Sequence, residues 1–192
     1  MHFWVVNDPG VSSKNKLTAA EIKGAFQELS DKLAARGAVG EICLFGGAVM
    51  VLAFNARVST KDVDGVFHPA QIIRELAHEI AEEKNWDEHW LNDGVKGFVT
   101  SAPALIESGL PQFSNLRLTR PTAEYLLAMK CMAERTGVEG VTDIPDIIFL
   151  IGELGLKSSG AVLDLVGEYY GKSGIPVKTQ YLVEGLFEEG KL

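Results

Sequence analysis

Apolar and polar positions divide this chain into two regimes. Up to about residue 120, short apolar runs alternate with helical stripes, whereas from Pro121 onward only the helical period is found. Residues 1–16 carry no period. Thr18-Ala19-Ala20-Glu21 spells a capping box, and Leu17 with Ile22 is placed to form its hydrophobic staple. The predicted helix behind it buries Ile22, Phe26, Leu29 and Leu33 and stops near Gly37. Glu41–Phe45 reads as a short strand. Gly46-Gly47 turns it into a helix, Ala48–Phe54, which is apolar nearly all round and therefore expected to be packed on both sides. After a loop over Asn55–Ser59, Lys61–Phe67 reads as a strand, and Pro69 opens an amphipathic helix with Ile72, Ile73, Leu76 and Ile80 inward.

Trp86–Asp93 reads as an aromatic segment of one or two helical turns. Val95–Thr100 and Asn115–Thr119 read as further strands, with Pro103, Gly109 and Pro111 marking loops. Four helices follow, over Thr122–Arg135, Asp143–Leu154, Ala161–Tyr170 and Pro176–Glu189. The expected fold class is α+β. A small mixed sheet flanked by helices occupies 1–120, and a helical region, 121–192, packs on it.

Composition narrows the function classes. The chain has 192 residues, with 18 Lys plus Arg against 26 Asp plus Glu. This acidic balance argues against a duplex binder that works by neutralising phosphates, so a nucleic-acid substrate would need a local basic patch. Cys43 and Cys131 each lie inside an apolar run, which points away from a disulfide framework and toward a reducing compartment. No apolar stretch is long enough to span a bilayer and the N-terminus lacks a signal-peptide pattern; the expectation is a cytoplasmic protein with no membrane partner. His2, His68, His78 and His89 have no metal-ligand spacing, and no P-loop sequence is present.

The chemistry concentrates in Leu44-Phe45-Gly46-Gly47 and Ser59-Thr60-Lys61-Asp62-Val63-Asp64. In a strand, Asp62 and Asp64 fall on one face and Val63 on the other. Paired carboxylates repel each other, and a divalent cation such as Mg²⁺ removes that penalty. The glycines offer a backbone bare enough for phosphates to approach a helix N-terminus. Taken singly, the glycine pair also fits a tight strand-to-helix turn, and aspartates commonly decorate strand ends. Ser59 and Thr60 either bind a phosphate oxygen or shape the turn, and Arg57 either meets phosphate or solvent. Lys130 sits at the margin of its helix's apolar stripe, where a lysine either reaches for water or offers its ammonium to a triphosphate. Asp143 and Asp146 also suit an N-cap and an acidic first turn.

Gly46-Gly47 and Asp62-x-Asp64, linked through Arg57-x-x-Thr60-Lys61, resemble the first motif of the DNA polymerase beta-type nucleotidyltransferase superfamily, and most of all the minimal nucleotidyltransferases grouped with AbiE-type toxins. Pro121 to Lys130 is similar to that group's helix with a functional lysine, and Arg135 with Asp143-x-x-Asp146 resembles the end of its second motif. The likeness covers about residues 40 to 155. It implies a nucleotidyltransferase-like core moving an NMP from an NTP, ATP for example, to an acceptor hydroxyl on RNA, protein or a small molecule. Within it Asp62 and Asp64 would hold Mg²⁺, and Gly46, Gly47, Ser59, Thr60 and Lys130 would hold the nucleotide. Arg57, Asp143 and Asp146 would be additional site residues. By the same likeness a tRNA end or a protein is the expected acceptor, and an antitoxin the expected partner. Two departures are visible. The wider superfamily carries a third carboxylate on a later strand, where Val95–Val99 offers none and Asp93 precedes it. Gly137-Val138-Glu139-Gly140 stretches the spacing from Arg135 to Asp143. The alternative is therefore a nucleotide-binding or regulatory module with the same fold and weakened catalysis.

Overall fold

The structure is a computed structural model and describes residues 16–100, 103–133 and 143–190. In chain order the elements are β1 (Leu17–Thr18), α1 (Ala19–Ala35), β2 (Gly40–Leu44), α2 (Gly46–Leu52), β3 (Ser59–Thr60), β4 (Val63–His68), α3 (Ala70–Lys84), β5 (Leu91–Asn92), β6 (Leu105–Ile106), β7 (Leu116–Pro121), α4 (Ala123–Ala133), α5 (Ile144–Glu153), α6 (Ser159–Tyr170) and α7 (Val177–Glu188). The fold is α+β.

Local signals set most boundaries. The α1 capping box is complete: Glu21 N–H donates to Thr18 Oγ1 at 3.4 Å, and Thr18 N–H returns to Glu21 Oε2 at 2.9 Å. Leu17 and Ile22 are both buried beside it, and Ile22, Phe26, Leu29 and Leu33 are fully enclosed. Helix α2 buries Ala48, Val49, Met50 and Val51, as its all-round apolar character requires.

The main sheet runs β5-β4-β2-β7-β6. Strand β2 is antiparallel to β4 and parallel to β7; β5 is parallel to β4, and β6 antiparallel to β7. A separate ladder joins β1 to β3, with Leu17 opposite Thr60 and Thr18 opposite Ser59. One face of the sheet presents Ile42, Leu44, Val63 and Phe67 to the main core. Helices α1 and α3 close on this face so tightly that a Cβ on Gly40 would lie 2.7 Å from Leu33 Cδ1 and 3.3 Å from Ile73 Cδ1. The same core takes in Leu126, Ile147, Val162 and Leu186 from the helical half. The opposite face carries Cys43 and Val66 into a smaller cluster centred on Phe45, Tyr125 and Met129.

Two expectations fail between Trp86 and Thr100. The segment read as helical turns supplies β5, and the segment read as a strand, Val95–Thr100, winds instead into a 3₁₀ turn over Gly94–Phe98. Asn92 Oδ1 accepts from Gly94 N–H at 3.1 Å, and the Asp93 carbonyl accepts from Lys96 N–H at 3.2 Å. The Asn92 side chain offers the backbone a local partner in place of a ladder hydrogen bond. Val95 and Val99, four apart, then pack on the Phe45–Tyr125 cluster. Arg135 and Gly137–Gly140 lie outside the described residues. Among the described residues no helix is long and apolar enough to cross a membrane.

Candidate functional site

The site begins where β2 ends. Phe45 N–H donates to the Asp64 carbonyl at 2.8 Å, which extends the β2–β4 pairing by one residue. The chain then turns into α2 through Gly46, at φ +57°, in the left-handed region that L side chains rarely adopt. A Cβ built on Gly46 would sit 2.5 Å from Asp64 Oδ2, and one on Gly47 would overlap Thr60 Oγ1 and lie 3.9 Å from Arg57 Nη1. The missing Cβ atoms are thus what allows a carboxylate, a hydroxyl and a guanidinium to converge on the first turn of α2. Gly46, Gly47, Arg57, Thr60 and Asp64 are neighbours in space. Ser59 instead sits half-buried opposite Thr18, and the atoms nearest the bare position on Gly47 belong to Thr60 and Arg57.

Asp64 alternates along β4 with Val63, Gly65 and Phe67, which are buried, so it shares a face with Val66 on the side of the smaller cluster. Asp62 lies one residue before the first ladder position of β4 and is half-buried, like Asp64. The residue registered beside Asp64 on the neighbouring parallel strand is Asn92. The reading of the residues did not single out Asn92; the signal was a polar pair, Asn92-Asp93, ending the short apolar run Trp90-Leu91. Asp93 itself is turned to Arg74 Nη2 at 2.6 Å and Lys96 Nζ at 2.5 Å, and these two cations hold its carboxyl below the ordinary range.

Among the described residues no group of three or more His, Cys, Asp or Glu side chains is placed to hold a metal ion. Mg²⁺ is commonly bound through one or two protein carboxylates, with substrate phosphates and water completing the octahedron. Asp64 brings a carboxylate to a glycine turn that a Cβ would fill, and Asp62 lies two residues before it in the chain.

A second group of candidates abuts the first. Lys130, on α4, is buried at 5% exposure and does not reach for water. Its ammonium lies 2.9 Å from Asp143 Oδ1 and 2.6 Å from Asp146 Oδ2. Asp146, 2% exposed in the first turn of α5, also accepts from Arg57 Nε at 2.5 Å. Asp143 occupies the N-cap position of α5 but makes no capping hydrogen bond: its backbone is helical there, at φ −89° and ψ −6°, and its Oδ1 accepts from Lys130 Nζ. Two cations and two carboxylates thus balance one another, and Arg57 links them to the glycine turn.

Tyr125, on the same helix as Lys130, forms the wall of the smaller cluster and accepts from Thr100 N–H at 2.7 Å. Cys43 lies in that wall too, its thiol pushed up to about 11 by burial, with a Thr119 hydrogen bond acting the other way. Comparison of the chain with protein-family models, with curated proteins and with solved structures returns no match.

Proposed function

We propose that the protein is a Mg²⁺-dependent nucleotidyltransferase. The observation that carries this reading is the convergence of Asp64 and Thr60 on the bare Cα atoms of Gly46 and Gly47, with Asp62 two residues before Asp64. The bare backbone of Gly46 and Gly47 leaves room for the triphosphate to approach, and Thr60 brings a hydroxyl to the same place. Asp62 and Asp64 would hold the Mg²⁺, which when bound neutralises charge on the phosphates. The acceptor hydroxyl then attacks the α-phosphorus, the bond to the bridging oxygen of pyrophosphate breaks, and the hydroxyl proton passes to a carboxylate or water. The acceptor classes that the resemblance implies are RNA, with a tRNA end foremost, protein, and small molecules. A toxin acting beside an antitoxin belongs to the same reading.

The test is incubation with each α-labelled NTP, Mg²⁺ and total cell RNA or protein. Label transferred to a macromolecule by the wild type and lost in Asp62→Ala and Asp64→Ala supports the reading. Transfer that persists in both variants removes it. One observation favours the second reading, a binding module with weakened catalysis. The position beside Asp64 is an amide, Asn92, and the neighbouring Asp93 is engaged by Arg74 and Lys96. In that case Mg²⁺–NTP binds by calorimetry without release of pyrophosphate.

A further inference from the structure

Within the proposed nucleotide site, the cation expected from the resemblance to face the triphosphate is Lys130, yet its surroundings are those of a structural charge. Its side chain is 7% exposed, and its ammonium is shared between Asp143 and Asp146. Moving it toward a phosphate would leave Asp146, whose side chain is 2% exposed, dependent on a single partner. Burying a carboxylate with incomplete pairing costs free energy. Arg57 is placed differently. Its side chain is 31% exposed, it meets Asp146 through Nε, and Nη1 lies 3.9 Å from the bare position on Gly47 where Thr60 Oγ1 also converges. The guanidinium is planar, and engaging Nε fixes the direction in which its two terminal nitrogens point, a pair whose geometry matches two phosphate oxygens.

We infer that Arg57 is the phosphate-contacting cation of this site, and that Lys130 is a positioning residue that acts on it through Asp146. The chain of contact is Lys130 Nζ to Asp146 Oδ2, then Asp146 Oδ1 to Arg57 Nε, then the Arg57 terminal nitrogens to the phosphates beside Gly47. The inference rests on the nucleotide reading and assigns its specificity for a multiply charged phosphate chain to one side chain.

The experiment is a binding cycle with the full chain. Mg²⁺ complexes of the four NTPs, and inorganic tripolyphosphate as a probe without base or sugar, are titrated calorimetrically into the wild type, Arg57→Gln, Lys130→Met and the double variant. Arg57→Lys serves as the conservative control, and melting curves establish that each variant is folded. Expected is a loss of roughly tenfold or more in affinity for both probes in Arg57→Gln, the scale of a lost charge-assisted contact, with partial recovery in Arg57→Lys. Lys130→Met weakens binding in the wild-type background and has little further effect once Arg57 is gone. A purely structural Arg57 would lower the melting temperature and leave affinity unchanged, which overturns the inference. So does a Lys130→Met effect that is as large without Arg57 as with it. Those two results leave the nucleotide reading standing, whereas a wild type that binds none of the NTPs sinks both.

Discussion

Lys130 and Arg120 are both withdrawn from water, at 5% and 7% exposure, yet Lys130 sits between two carboxylates while Arg120 meets none among the described residues. Arg120 Nε donates to the Ser108 carbonyl at 2.8 Å and Nη1 to the Pro121 carbonyl at 3.1 Å, and the guanidinium lies over the Phe54 ring at 4.9 Å. Burial alone lowers its pKa. That arrangement ties the β6–β7 connection to the end of α2, and it needs only carbonyl dipoles and a ring face. A cation whose task is to brace a loop can be satisfied this cheaply. The Lys130 corner confines four charged side chains, a costly way to hold helices together, since well-packed apolar residues often do so as well or better. Such an arrangement is understandable where charge must be presented at a fixed place, and Arg57 carries it to the glycine turn.

The contrast can be broken first at Asp146. Asp146→Ala leaves Arg57 and Lys130 near one another with Asp143 as the remaining carboxylate, and a loss of about 3–5 kcal/mol is expected by urea unfolding. A loss below about 1 kcal/mol would put this corner on the footing of Arg120. Lys130→Met should cost less, about 1–3 kcal/mol, because Asp146 keeps Arg57. Gly46→Ala probes the other end of the same chain of contacts. It forces a side chain into the left-handed region and onto Asp64 Oδ2, so about 1–2 kcal/mol of stability is expected to go together with Mg²⁺–NTP binding. Retained binding would show that the turn does not face the phosphates.

Arg120→Met keeps an apolar stem against Phe54 and strands no carboxylate, so about 1 kcal/mol or less should be lost, with NTP affinity unchanged. The smallest effect belongs to the surface seam between α1 and α3. Arg36 holds the Glu75 carboxyl, and Lys32 the Glu83 carboxyl, below their ordinary value of 4.5. With the folded values depressed, this contribution is fully present above pH 4.5 and is lost as pH falls through the lower folded values. Melting curves should show a slight loss below pH 4.5, and high salt at neutral pH should produce a similar loss by screening the same pairs. The buried corner should be insensitive to salt.

Residues close in sequence announced their roles well. Thr18 and Glu21, three apart, form the capping box that their identities spell, and the Ile22–Leu33 stripe turns inward as its period requires. The Gly46-Gly47 turn into a buried helix was equally legible, because only glycine accepts that conformation without strain. Val95–Thr100 misled, since two valines four apart suit either a strand or a single turn, and the Asn92 side chain supports the turn by accepting from Gly94 N–H. Lys130 was ambiguous at the margin of its stripe. Whether a lysine there reaches water or is enclosed depends on what docks beside it, here the first turn of α5.

The long helices, the α1 cap and the core-facing stripes were set by contacts within about four residues, whose energetics any stretch of chain carries with it, whereas the short strands between Trp86 and Ile106 were not. The partnership of Arg57 with Asp146, 89 positions away, and the convergence of Thr60 and Asp64 on two glycines arise once the main sheet pairs β2 with β4, the β1–β3 ladder places Thr60, and α5 packs against α4. Charge pairing carries no sequence spacing of its own. Which carboxylate meets which cation is chosen by the packing of the apolar surfaces beneath them, so those pairs could be proposed from the chain but not read from it.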